Sequence, residues 1–171
     1  HAEIDEIHIT GSDKTVEAIA FGTGAEGAQR KATNRPKNTK PISSELGNVS
    51  PVLIVPATWS DAELRYQAEN VASMLTNNAG FNCNAARVLI TASWWPQREA
   101  FLDAVEHYLS LGRPRQAYYP GAHERFTQFV AAHPEAKQIG PAPKGTLPWT
   151  LIRNLDPNRQ DDICFRTEAF C

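Results

Sequence analysis

Cys83 is the residue whose setting first suggests chemistry. It lies in Asn77-Asn78-Ala79-Gly80-Phe81-Asn82-Cys83-Asn84, a polar, glycine-bearing turn between a helical and a strand-like stretch. Structural cysteines usually sit within apolar runs, whereas a thiol in a polar turn can meet solvent and act as a thiolate nucleophile. The residues alone leave both roles open. Glu45 stands in Ser43-Ser44-Glu45-Leu46-Gly47-Asn48, between two strand-like stretches. It could serve as a general base, although a lone glutamate is ordinarily a surface carboxylate. Gly22 to Gly27 reads GTGAEG and matches the spacing of a dinucleotide-binding loop. Such a loop needs a strand before it, a helix after it and an acid about 20 positions on. Here a helical stretch precedes it and a basic, proline-bearing stretch follows, so a glycine-rich loop is expected. Arg30, Lys31, Arg35, Lys37 and Lys40 could hold a phosphate, but a charge run is ordinarily a solvated loop. The sequon Asn48-Val49-Ser50 carries no weight without a secretory leader. His1, His8, His107, His123 and His133 form no HxH or HxxxH pair, and Cys83, Cys164 and Cys171 form no CxxC. No metal site is expected from these spacings.

The elements that must position these residues alternate between strand and helix. Residues 7–10 (IHIT) read as a strand, broken by Gly11-Ser12-Asp13, with helix formers from Thr15 to Phe21. Residues 22–41 read as a long loop with at best a broken helix. Residues 52–55 (VLIV) suit a buried parallel strand. Ser60 and Glu63 have the spacing of a capping box, and Leu64, Ala68, Val71, Ala72 and Leu75 share the face of the helix that follows. Residues 77–80 end it, and 87–91 (RVLIT) form the next strand. Pro96 opens a helix with Phe101, Val105, Tyr108 and Leu109 on one face, stopped by Gly112. A Pro- and Tyr-bearing connection leads to a short amphipathic helix with Phe126, Phe129 and Val130. Residues 147–155 and 163–170 are the last extended candidates. Alternating strands and helices imply an α/β fold.

The whole composition bounds the rest. The 171 residues allow one ordinary domain or two small halves. With 42% hydrophobic and 21% charged residues, the chain is neither disordered nor collagen-like. The net charge of −2 gives no global attraction to nucleic acid or to an anionic membrane surface. No apolar run approaches the ~20 residues of a membrane span. The start, HAEIDEIHIT, lacks the pattern of a signal peptide, and the small odd cysteine count suits a reducing compartment. A cytoplasmic location is therefore expected.

Together the segments resemble the aldehyde dehydrogenase superfamily. His8-Ile9-Thr10-Gly11-Ser12 is similar to its Phe-Thr-Gly-Ser segment, and Glu45-Leu46-Gly47-Asn48-Val49-Ser50-Pro51 resembles its Glu-Leu-Gly-Gly-Lys-Ser-Pro motif. Asn78-Ala79-Gly80-Phe81-Asn82-Cys83 resembles Asn-x-Gly-Gln-x-Cys, and Glu168-Ala169-Phe170 matches Glu-x-Phe. The segments occur in family order. Asn48 and Val49 depart from the glutamate motif, Phe81 stands where a glutamine is usual, and Arg87 arrives one residue early.

The resemblance implies an aldehyde-dehydrogenase-like α/β fold: parallel-sheet layers with flanking helices, incomplete at both ends. Residues 1–47 would be the end of a dinucleotide-binding domain and residues 48–171 the start of a catalytic domain. It implies oxidation of an aldehyde to a carboxylic acid with NAD or NADP. Cys83 would be the nucleophile, its own N–H a donor to the oxyanion, and Glu45 the base that activates water. Gly11 and Ser12 would face the pyrophosphate, Leu46 would lie beside the nicotinamide, Glu168 would hold its ribose and Phe170 would pack near its ring. The full-length form is expected to be a homo-oligomer, and this stretch alone inactive and prone to self-association. Two other readings are a non-catalytic remnant of the same fold and a cofactor-independent thiol esterase.

Overall fold

The computed structural model describes residues 3–170. The chain divides into two compact units, His1–Gly47 and Asn48–Cys171.

In the first unit β1 (Ile7–Thr10) leads through Ser12 into α1 (Asp13–Phe21). The Thr15 N–H donates to Ser12 Oγ at 3.2 Å, which caps an otherwise unpaired donor of the first turn. α2 (Gly24–Ala32) follows, and β2 (Ile42–Glu45) pairs parallel with β1, Ile7 opposite Ile42 and Thr10 opposite Glu45. The expected loop over 22–41 thus contains a helix. Its glycines masked it, although Ala25, Gln29, Arg30 and Lys31 are good helix formers and Glu26 pairs with Arg30 at 2.9 Å one turn on. The glycines of GTGAEG serve the α1–α2 corner. Gly22 ends α1 at φ +91°, and a Cβ on Gly27 would lie 2.2 Å from the Gly22 carbonyl oxygen. Helix rather than strand precedes this segment, so it is not a dinucleotide loop.

In the second unit β3 (Ser50–Leu53) pairs parallel with β4 (Ala86–Ile90). The register slips between Ser50 and Pro51, where proline offers no ladder N–H. The strand lies two residues earlier than the VLIV run suggests, although the Ile54 N–H still donates to the Ile90 carbonyl at 2.9 Å. Between them runs α3 (Asp61–Thr76), ending in a 3₁₀ turn at Asn77–Gly80. After β4 come α4 (Arg98–Leu111), α5 (Ala122–Ala132), β5 (Lys137–Ile139), β6 (Trp149–Leu151) and α6 (Ile163–Arg166). β5 and β6 pair antiparallel, so the described sheets are not all parallel. Two further expectations are corrected. Only Trp149–Leu151 of the 147–155 stretch is strand, and residues 163–166 form one helical turn. That turn exists because Asp162 caps it, its carboxylate accepting the Cys164 N–H at 2.9 Å.

The core joins the predicted faces. Leu64, Ala68, Val71 and Ala72 of α3 pack with Phe101, Leu102, Val105 and Leu109 of α4, closed by Ile54, Trp95, Ile139 and Trp149. Gln97 brackets Trp59 by accepting its N–H and donating to its carbonyl, both at 2.8 Å, which seats the indole edge-on to Trp95 and Phe101. A second cluster gathers Ala79, Phe81, Ala122 and Phe170. Among the described residues His133 is the one polar residue buried as a whole, and the Asp162 side chain beside it is buried too. Burial favours its neutral ring, but hydrogen bonds with Glu135 and Asp162, and their charges, outweigh that and raise its pKa. No helix among the described residues is long and apolar enough to cross a membrane.

The capping box allows a direct test. Ser60 Oγ accepts the Glu63 N–H, and the Glu63 carboxylate accepts the Ser60 N–H at 2.8 Å. Ser60→Ala is expected to cost about 1 kcal/mol in urea unfolding. The Ser60 N–H, and after it the Ser60 hydroxyl, which donates to Glu63 Oε2 at 2.8 Å, hold the Glu63 carboxyl below its ordinary pKa against a small opposing effect of burial. Its contribution is therefore present above the ordinary carboxylate range and lost as pH falls through the lowered value. In Ser60→Ala, which keeps the backbone N–H and loses the hydroxyl, that part of the acid sensitivity should shrink without disappearing.

Candidate functional site

In the first unit the expected residues gather at the carboxyl ends of β1 and β2. The Gly11 N–H donates to the Glu45 carbonyl at 3.0 Å, and Thr10 Oγ1 donates to Glu45 Oε2 at 3.5 Å. Glu45 is exposed and Leu46 half-buried. Ser12 takes the Thr15 and Val16 N–H groups with its side chain and carbonyl. The Asp13 and Lys14 N–H groups of the first turn then point along the axis, toward the side from which an anion would approach. Parallel strands followed by a helix place ligands at this end of a sheet.

In the second unit Cys83 is exposed in the turn between the 3₁₀ segment and β4. The turn is braced on every side. Asn78, Ala79 and Gly80 adopt left-handed φ values of 52°, 57° and 75°. For Asn78 and Ala79 this costs of order 1 kcal/mol each, so surrounding contacts must hold it. Asn78 Nδ2 donates to Asn82 Oδ1 at 2.9 Å, and the Tyr118 hydroxyl donates to Asn78 Oδ1 at 3.1 Å. The Ala85 N–H donates to the Asn82 carbonyl at 3.0 Å, and the Arg87 guanidinium donates to the Gly80 carbonyl. Phe81 is the anchor, packed against Tyr118, Tyr119 and Phe170 with ring centroids 4.7–5.8 Å apart. The phenylalanine that departs from the family pattern is thus what fixes the turn to the second apolar cluster.

Phe170 belongs to the same cluster, and Glu168 lies two residues before it. Phe170 is 3% exposed, with the Arg125 guanidinium 4.6 Å over its ring. Arg125 also donates to the Glu168 carbonyl at 2.8 Å, with the Glu168 carboxylate 3.9 Å away. Phe170 therefore packs within the protein, and Glu168 is steadied by a cation. Arg125 and Tyr118 were not singled out in the sequence. No local signal marks them, since each acts on a partner about 40 residues away. A separate cleft of about 1050 Å³ runs along β3, β4, α4 and β6, lined by Val52, Leu89, Leu102 and Leu151 with Arg98 and Arg153. Neither Cys83 nor Glu45 lines it.

No family model and no curated protein matches the sequence. Solved structures do match. Aldehyde dehydrogenase KauB from Pseudomonas aeruginosa aligns with a TM-score of 0.69 at 20% identity, over 99% of this chain and 34% of its own. A mutant of aldehyde dehydrogenase C (AldC) from Pseudomonas syringae, complexed with NAD+ and octanal, aligns at 0.69 and 18% identity, over 99% and 35%. NADP-dependent glyceraldehyde-3-phosphate dehydrogenase from Bacillus halodurans, complexed with NADP, aligns at 0.65 and 15% identity, over 92% and 32%. The fold is that of part of an aldehyde dehydrogenase. The chain spans about a third of the length of these structures.

Within this aldehyde dehydrogenase fold the two described cysteines differ in access. Cys83 is exposed and Cys164 buried; Cys171 lies outside the described residues. Iodoacetamide at neutral pH is expected to label Cys83 well ahead of Cys164, read by peptide mapping. Faster labelling of Cys164 would remove Cys83 from the role of accessible thiol.

Proposed function

We propose that the chain carries the nucleophile-bearing part of an NAD(P)-dependent aldehyde dehydrogenase that oxidises an aldehyde to a carboxylic acid. The observation that carries this reading is the exposed Cys83, held in a braced, left-handed turn in a fold shared with aldehyde dehydrogenases. Each unit offers its own groups to a cofactor. In the first, the N-terminus of α1 has N–H groups that suit a phosphate; in the second, the Glu168 carboxylate is the proposed acceptor for ribose hydroxyls. NAD or NADP, when bound, supplies the hydride acceptor. In this reading the Cys83 thiolate forms a bond to the aldehyde carbon, and the carbonyl electron pair moves onto oxygen. The Cys83 N–H is proposed as one donor to that oxygen. After oxidation a thioester joins the acyl group to sulfur. Glu45 takes a proton from water, whose oxygen attacks the thioester; the C–S bond breaks, the electron pair returns to sulfur and the acid leaves.

The test is the gene product assayed with an aldehyde panel against NAD and NADP, following reduced cofactor and acid together. Glu45→Gln should slow acid release more than hydride transfer, giving a burst of reduced cofactor followed by slow turnover. Wild-type turnover in that variant would return Glu45 to an ordinary surface carboxylate. Ester hydrolysis without any nucleotide, and no aldehyde oxidation with one, would favour a thiol esterase.

A further inference from the structure

The spacing of histidines and cysteines along the sequence offers no metal site, yet folding brings three distant donors together. His133 closes α5, Asp162 caps α6 and Cys164 lies in the first turn of α6. Their donor atoms all lie within 4.8 Å of one another. His133 Nε2 is 3.0 Å from Asp162 Oδ1, and His133 Nδ1 is 3.0 Å from Glu135 Oε1. The Cys164 side chain hydrogen-bonds to Asp162 as well. Cys164 is 9% exposed, His133 8%, and the Asp162 side chain 8%.

We propose that His133 Nε2, the Asp162 carboxylate and Cys164 Sγ form a binding site for a divalent ion of the zinc type, with Glu135 behind the histidine.

The donor set selects the ion. One imidazole, one carboxylate and one thiolate suit zinc and its cobalt substitute, whereas magnesium and calcium prefer oxygen alone. Two anionic donors also balance a 2+ charge, which matters where the groups are withdrawn from water. The geometry needs modest adjustment, since the three donor atoms lie within 4.8 Å of one another and must settle to ligand spacing. Zinc bonds of about 2.0–2.3 Å in a tetrahedron put ligand atoms roughly 3.3–3.7 Å apart, so the His133–Asp162 contact opens by only a few tenths of an ångström. The backbone already holds the ligands: the His133 N–H donates to the Phe129 carbonyl and the Ala136 N–H to the His133 carbonyl, each at 2.9 Å. A carboxylate on the second ring nitrogen is the usual support for a metal-bound histidine, fixing its tautomer and orientation. Glu135 stands at that nitrogen. The consequence is structural. An ion here ties α5, which carries Arg125, to the segment that leads into Glu168 and Phe170, the two residues Arg125 holds.

The experiment treats the chelator-stripped protein with Co²⁺ and then Zn²⁺. One Co²⁺ per chain is expected, with thiolate-to-cobalt charge transfer in the near-ultraviolet and the intense visible bands of a four-coordinate ion, displaced by Zn²⁺. The charge-transfer band should vanish in Cys164→Ser and persist in Cys83→Ser and Cys171→Ser. Glu135 is 60% exposed, so Glu135→Gln should leave the circular dichroism unchanged while weakening the metal about 10–100-fold. Absence of the band in the wild type, a band that follows Cys83 or Cys171, or wild-type affinity in Glu135→Gln each overturns the site.

Discussion

Cys83→Ala is expected to lower aldehyde oxidation by the intact enzyme roughly 10⁶-fold, the scale of losing a covalent nucleophile, and so below detection. No neighbour can substitute. The other described cysteine, Cys164, is buried in contact with Asp162. The change should leave folding intact, because the Cys83 side chain is exposed and the turn is held by Asn78, Phe81 and Arg87. Unchanged circular dichroism and unfolding midpoint, with no reduced cofactor formed, is the expected pair of results. An active Cys83→Ala enzyme would end the nucleophile assignment.

Phe101→Ala is expected to cost 3–5 kcal/mol, about the range for removing a buried aromatic ring. Phe101 of α4 is fully buried in the core shared with α3 and meets Trp59 and Trp95 at ring-centroid distances of 5.7 and 5.6 Å. Neither indole can collapse into the space, because Trp95 Nε1 is tied to the Ala57 carbonyl at 2.8 Å and Gln97 brackets Trp59. Domains are commonly stable by about 5–15 kcal/mol, so the loss takes a large share of the total. Tryptophan fluorescence in a urea titration reads it directly. A midpoint within error of wild type would mean that α3 and α4 do not form the central packing.

Features that one short stretch can satisfy alone were legible. The Ser60–Glu63 capping box is such a case, since both of its hydrogen bonds close within one turn. The apolar faces of α3 and α4 are another, because helical periodicity puts the same residues on one side whatever they meet. The polar turn at Cys83 was visible for the same reason, and the structure leaves that thiol exposed. α2 was hidden because its glycines serve a close approach to the Gly22 carbonyl, which only the packed corner reveals. α6 was hidden because a single turn has too little internal hydrogen bonding to declare itself; Asp162 and the burial of Cys164 hold it in place.

The sequence by itself therefore determined the longer elements, α3 and α4 with their apolar faces, and the polar character of the Cys83 turn, all set by periodicity, capping and composition over a few residues. Tertiary structure alone decided partnership. β1 chooses β2 across 35 residues, Arg125 reaches Glu168 across 43, and His133 meets Asp162 across 29. Such contacts depend on the paths of every intervening element, and loop closure adds only a slowly growing cost with separation. Spacing along the chain thus carries almost no information about which polar groups will converge. For this protein the grip on Phe170 and the His133–Asp162–Cys164 cluster emerge only once α5 and α6 have packed.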